Sequence, residues 1–144
     1  MSASLSKPAS HSNGTDMQTI LTPRAFFRSL IIWTLVAFFI VGSVGNIFPP
    51  PAVRADYDRW GYPGWFHYIT GIMELTTAIL IARESTRRIG AMLGGTVMGA
   101  AVVTLGINAE LLHAAAPTAV LLVLSLCLLL DAKAQEARWE GKVF

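Results

Sequence analysis

Residues 60–75 read WGYPGWFHYITGIMEL, an aromatic collar that runs into an apolar segment carrying a single carboxylate. Trp60, Tyr62 and Trp65 are amphipathic rings of the kind that settle at a bilayer interface. Gly61, Tyr62, Pro63 and Gly64 supply turn chemistry, and Pro63 stands just ahead of a new helix, where its missing N–H does no harm. From Phe66 onward the segment is mainly apolar, and Glu74 is its one carboxylate, with neighbours that include Ile69, Ile72, Met73, Leu75 and Ile79. An ionisable group in such a run is costly unless it faces a partner or a cavity, so Glu74 is the first candidate for function.

The rest of the chain has the same character. Of its 144 residues 53% are hydrophobic and only 14% charged, and the mean hydropathy is +0.54, too apolar for an ordinary soluble domain. The fold class read from this is all-α, an integral membrane four-helix bundle. A net charge of +2 does not point to nucleic acid, because the basic residues lie in short flanks beside apolar runs. The lone Cys127 permits no internal disulfide and no dithiol chemistry. No metal-ligand spacing and no Gly-rich phosphate loop is present, so neither a metal nor a nucleotide is expected.

Four apolar runs, at about 29–48, 65–82, 89–107 and 114–130, read as membrane spans, each long enough at 1.5 Å per residue to approach a ~30 Å hydrocarbon core. Together they make a transmembrane domain over 25–131. Before it, 1–24 reads as a disordered cytoplasmic tail, and after it 132–144 as a charged cytoplasmic tail. A cleaved leader competes for the first run, but such leaders carry about 7 to 15 apolar residues and this run is longer. Residues 49–64 read as a loop after Pro49, Pro50 and Pro51 stop the first helix, and Pro117 falls in the first turn of the fourth. With the amino terminus inside, nine of the eleven basic residues are cytoplasmic and only Arg54 and Arg59 lie outside, a positive-inside bias that puts both termini in the cytoplasm of an inner (cell) membrane.

This topology gathers distant residues at the outer face. Asn46 ends the first span, His67 opens the second, Asn108 ends the third, and Glu110 and His113 precede the fourth. His67, Thr70 or Gly71, and Glu74 share one helical stripe, read as a polar track descending toward the midplane. Candidates for ligand binding or proton handling are Glu74, His67, Tyr68, Thr70, Trp60, Tyr62, Trp65, Asn108, Glu110 and His113. Each has a plainer reading: Glu74 as a hydrogen-bonded packing residue, His67 as a headgroup contact, Glu110 with His113 as a local pair, the aromatics as interfacial anchors. In the third span Gly90 with Gly94, and Gly95 with Gly99, are small-x-x-x-small pairs that let helices approach closely in lipid.

Taken together, Trp60, Gly61, Tyr62, Pro63, Trp65, Phe66, Tyr68, Thr70, Gly71 and Glu74, followed by the basic turn at 83–88 and a glycine-rich span, resemble the DoxX-like family of small membrane proteins. The resemblance covers roughly 30–130 and implies a four-helix bundle. It implies no single activity: the family takes its name from a protein associated with quinone-linked sulfur oxidation, while other members look like accessory proteins, including a eukaryotic assembly factor for receptors. The expectation is therefore an accessory or assembly subunit of a larger membrane complex, not a complete enzyme on its own. Its partners would be the lipid bilayer and other membrane subunits or further copies of itself, without nucleic acid. The alternative is a component of a quinone-linked oxidoreductase, with no covalent cofactor and a quinone or other lipophile held near Glu74 and His67.

Overall fold

The computed structural model describes the backbone of residues 23–140 and the side chains of residues 26–129; of the expected tail at 1–24, residues 1–22 lie outside the described residues, as do the last four residues of the chain, while Pro23 and Arg24 begin a helix. Among the described residues five α-helices follow one another: α1 Pro23–Ile47, α2 Pro51–Arg59, α3 Phe66–Ala82, α4 Arg87–Ile107 and α5 Leu111–Glu140, with a 3-10 turn at Glu84–Thr86. α1 ends where Phe48 precedes Pro49, since a residue before proline is pushed out of helical geometry. The expected loop at 49–64 is instead largely helical. Pro50 is extended and Pro51 occupies the first turn of α2, where proline's fixed φ favours a helix start, so the proline run that stops one helix also begins the next.

The Gly-Tyr-Pro signature is the end of α2. Gly61 has φ +77°, its N–H donates to the Asp58 carbonyl (3.1 Å), and the Tyr62 N–H donates to the Tyr57 carbonyl (3.0 Å). That is a Schellman cap, with glycine in the left-handed position and a ring contact between Tyr57 and Tyr62, centroids 5.9 Å apart, across it. The end of α4 repeats the pattern with a less suitable residue. The Ala109 and Glu110 N–H groups donate to the Gly106 and Leu105 carbonyls, and Ala109 takes φ +59°. This corner starts α5 at Leu111, three residues before the expected boundary, so Pro117 lies inside that helix and not in its first turn.

α3 packs against both α1 and α4, and α5 packs along α4. The core joins Leu35, Val36 and Phe39 of α1, Ala78 and Ile81 of α3, Ala91, Val97 and Met98 of α4 and Leu124 of α5. In lipid this association rests on close packing and interhelical hydrogen bonds, because lipid tails are as apolar as leucine. Gly71 provides one approach: a Cβ there would stand 3.0 Å from the Ser43 carbonyl oxygen and 2.7 Å from Ile47. At Gly94 it would meet Phe39, Thr77 and Leu124, and at Gly90 the backbone N of Ile81. The second glycine pair does not share this role. Gly95 makes an ordinary contact with Leu121, and nothing lies within 4 Å of the Cβ position at Gly99, because helix geometry turns adjacent residues about 100° apart.

α1, α4 and the first part of α5 are each long and apolar enough to cross a membrane, whereas α3 has 17 residues, about 25 Å at 1.5 Å per residue. The outward surface is studded with large apolar side chains such as Val41, Ile72, Met92 and Leu122, the pattern of lipid-facing helices.

Candidate functional site

Asn46, in the last turn of α1, is the hub of the polar interior. Its Nδ2 donates to Glu74 Oε2 of α3 (2.8 Å), and its Oδ1 accepts from the Tyr57 hydroxyl of α2 (2.9 Å). Its backbone carbonyl accepts from His67 Nδ1 (2.8 Å). A carbonyl can only accept, so Nδ1 carries the proton in neutral His67 and Nε2 is left as the acceptor. One residue thus ties three helices through three different groups. Glu74 is 5% exposed and lies against α1 at Gly42, where a Cβ would come within 2.7 Å of Oε1. Gly42 is therefore what admits the carboxylate.

Beside this network a cavity of about 380 Å³ opens between α2, α3 and α4. Glu74, Asn46 and Thr70 form its polar floor; Tyr62, Phe66, Met73, Val97 and Met98 form its walls; Trp60, Glu110 and His113 stand at its rim. Tyr62 and Phe66 are stacked, ring centroids 4.3 Å apart and nearly parallel, and the Tyr62 hydroxyl is 2.7 Å from Thr104 Oγ1 of α4. An aromatic-walled cleft with a few convergent polar groups is the usual form of a small-molecule site.

The rim is clasped. Glu110 accepts from Trp60 Nε1 (3.0 Å), from the Arg59 guanidinium and from His113 Nδ1 (3.1 Å). The Trp60 N–H, then Arg59 and His113, hold the Glu110 carboxyl below the usual carboxylate range. Burial pushes the Tyr57 hydroxyl above its ordinary value, so it remains a donor to Asn46 through neutral and mildly alkaline pH. Through these contacts α2 is fastened at one side to α1 and at the other to the corner between α4 and α5.

Of the residues singled out in the sequence, Glu74, Thr70, Trp60, Tyr62, Glu110 and His113 meet at the cavity. His67 does not line it: the ring is buried against Asn46, behind the floor. His67, Gly71 and Glu74 share a face that packs on α1, so the expected polar track is closed at His67 and meets the cavity only at Thr70 and Glu74. Tyr68 and Trp65 are exposed on the outer surface, and Asn108 bonds back to the Thr104 carbonyl (2.8 Å) at the end of α4. Tyr57 and Arg59 were not anticipated, because their roles depend on α2 being a helix. Its signal was the proline at the helix start with Val53 and Tyr57 at i, i+4. Among the described residues no group of three His, Cys, Asp or Glu side chains could hold a metal ion.

A profile of the family described as DoxX-like matches residues 31–128, from the first third of α1 to the middle of α5. The chain belongs to the DoxX-like family. No curated protein and no solved structure matches it. The matched region contains every helix contact and every cavity residue described above, so the site lies wholly within the DoxX-like part of the chain. Membership agrees with a small, all-helical membrane protein.

Proposed function

We propose that this DoxX-like protein binds a small lipophilic molecule with a hydrogen-bonding head in the cavity above Glu74. It would do so as an accessory subunit of a larger membrane system. The observation that carries the reading is the Tyr57–Asn46–Glu74 chain at the floor of an otherwise apolar, aromatic-walled cleft. A merely structural buried carboxylate needs partners but no adjoining space, and here there is space for a ring. A quinone or quinol suits this chemistry: a flat ring fits beside Tyr62 and Phe66, and its oxygens would meet the carboxyl of Glu74 and the hydroxyl of Thr70. In that role Glu74 would orient the head and exchange a proton with it, and electrons would come from a partner subunit.

In this reading α3 also crosses the membrane, giving a four-helix bundle with both termini in the cytoplasm. Its 17 residues, most of them apolar, fall only slightly short of a ~30 Å core, and Trp65 and Arg83 at its ends suit the two interfaces. The connections between the helices are short, which favours a subunit that serves a larger complex. Mass spectrometry of extracts from the purified protein tests the proposal. Stoichiometric recovery of one lipophile from the wild type, lost in Glu74→Leu, supports it; bulk phospholipid alone from both would sink it.

A further inference from the structure

The opposite end of the bundle carries a second, unrelated groove. It has a volume of about 310 Å³ and lies between the start of α1 and the turn joining α3 to α4, with Arg28, Ser29, Ile32, Trp33, Glu84 and Arg87 around it. The Arg87 Nε donates to the Ile81 carbonyl (3.1 Å), where a cation caps the end of α3 and is held in place by it. Among the described residues its terminal nitrogens have no hydrogen-bond partner. Arg28 is exposed and, among the described residues, forms no ion pair. Glu84 lines the same groove as both arginines and, among the described residues, forms no ion pair.

The apolar part of the groove runs in a definite direction. Trp33 is 60% exposed and, five residues along α1, lies about 7.5 Å deeper toward the middle of the bundle than Arg28. Two guanidinium groups and a hydroxyl at the level of the headgroups, with an indole and an isoleucine below them, match an amphiphile that is anionic at the top and hydrocarbon beneath. Arginine is suited to phosphate because its planar fork donates two parallel hydrogen bonds. A carboxylate in the same groove suits a hydrogen-bonding ammonium and disfavours a head with additional negative charge.

We propose that this groove binds an aminophospholipid head group of the phosphatidylethanolamine type, its phosphate on Arg28 and Arg87, its ammonium on Glu84, and an acyl chain along Ile32 and Trp33. Native mass spectrometry of the full-length protein in detergent tests this. It is titrated with phosphatidylethanolamine, phosphatidylglycerol and phosphatidylcholine of identical acyl chains. The wild type should retain phosphatidylethanolamine most strongly, and Arg28→Gln should weaken it about tenfold, the scale of one charge-assisted pair. Glu84→Gln should remove the preference for phosphatidylethanolamine over phosphatidylglycerol while leaving phosphatidylglycerol bound.

Arg28 bears the main test because Arg87 also caps α3, and its removal can unsettle the fold. An excess of inorganic phosphate should fail to displace the lipid; displacement would assign the groove to a soluble phosphate and overturn the proposal. Equal retention of all three lipids by wild type and Arg28→Gln would overturn it as well, since it would mean unselective lipid around the bundle.

Discussion

The two ends of this bundle are held together in different ways. At the aromatic end, side chains reach across helices: Asn46 joins α1 to α2 and α3, and Glu110 joins the α4–α5 corner to α2. At the basic end the backbones themselves come together at Gly90, and Thr86 and Arg87 cap the Leu80 and Ile81 carbonyls of the preceding helix. The half-open cavity lies where α2 is joined to the other helices through side chains, although α1 and α3 also touch directly at this end, at Gly71. Hydrogen bonds several atoms long can fix helices while leaving room between them, whereas glycine contacts fix helices by removing that room.

If the basic end is held by backbone approach, Gly90→Leu should have the largest effect. A Cβ there meets the Ile81 backbone N at 2.8 Å, which no rotamer change relieves, and the cost should be roughly 3 kcal/mol. Thermal unfolding in detergent measures it against Gly99→Leu, which has open space and should fall within about 0.5 kcal/mol of the wild type. Equal losses would mean that the glycine-rich helix has no preferred face.

The aromatic end should respond instead to the loss of a hydrogen-bond partner. Glu74→Leu leaves the Asn46 amide without its acceptor and should cost about 2 kcal/mol. Glu74→Gln, which keeps an acceptor oxygen, should cost about 1 kcal/mol or less. A leucine variant as stable as the wild type would show that Asn46 is not what ties the helices.

Proton linkage separates the clasp from the floor. Because the folded-state carboxyl of Glu110 is held below its ordinary value, its stabilising effect is complete above the usual carboxylate range and is lost as pH falls through that range and the lowered value. Unfolding midpoints should therefore drop on acidification, and Glu110→Gln should flatten that part of the profile. The smallest effect concerns the corner that presents Glu110. Ala109 sits at φ +59°, a conformation glycine adopts freely, so Ala109→Gly should raise stability by about 0.5 to 1 kcal/mol in the same unfolding assay.

Much of this architecture can be read from the chain. The apolar runs give α1, α3, α4 and α5 to within a few residues except at the start of α1 and at the end of α5, which continues to Glu140 through the expected tail; Glu74 stands out against its neighbours, and the collar residues Trp60 and Tyr62 do reach the cavity. What is not legible has physical reasons. Pro49, Pro50 and Pro51 read as a helix stop, and only the geometry of Pro51 shows that they are also a start; without α2, Tyr57 and Arg59 look like ordinary loop residues. Asn46 can be placed at the right depth by counting, but its bond to Glu74 requires α1 and α3 to touch at Gly71 and Gly42. Two consecutive glycine pairs offer two faces of α4, and the contacts with Ile81 and Phe39 choose between them.

The central claim is that the cavity above Glu74 receives a lipophilic ring, and Trp60 at its rim offers a direct reporter. In a protein whose other three tryptophans are replaced (Trp33→Phe, Trp65→Phe and Trp139→Phe), a short-chain benzoquinone should quench Trp60 fluorescence along a saturable curve. Adding Glu74→Leu should weaken that binding by about tenfold, one hydrogen bond to a buried polar group. Quenching that rises without saturation, and equally with leucine at position 74, would contradict the account.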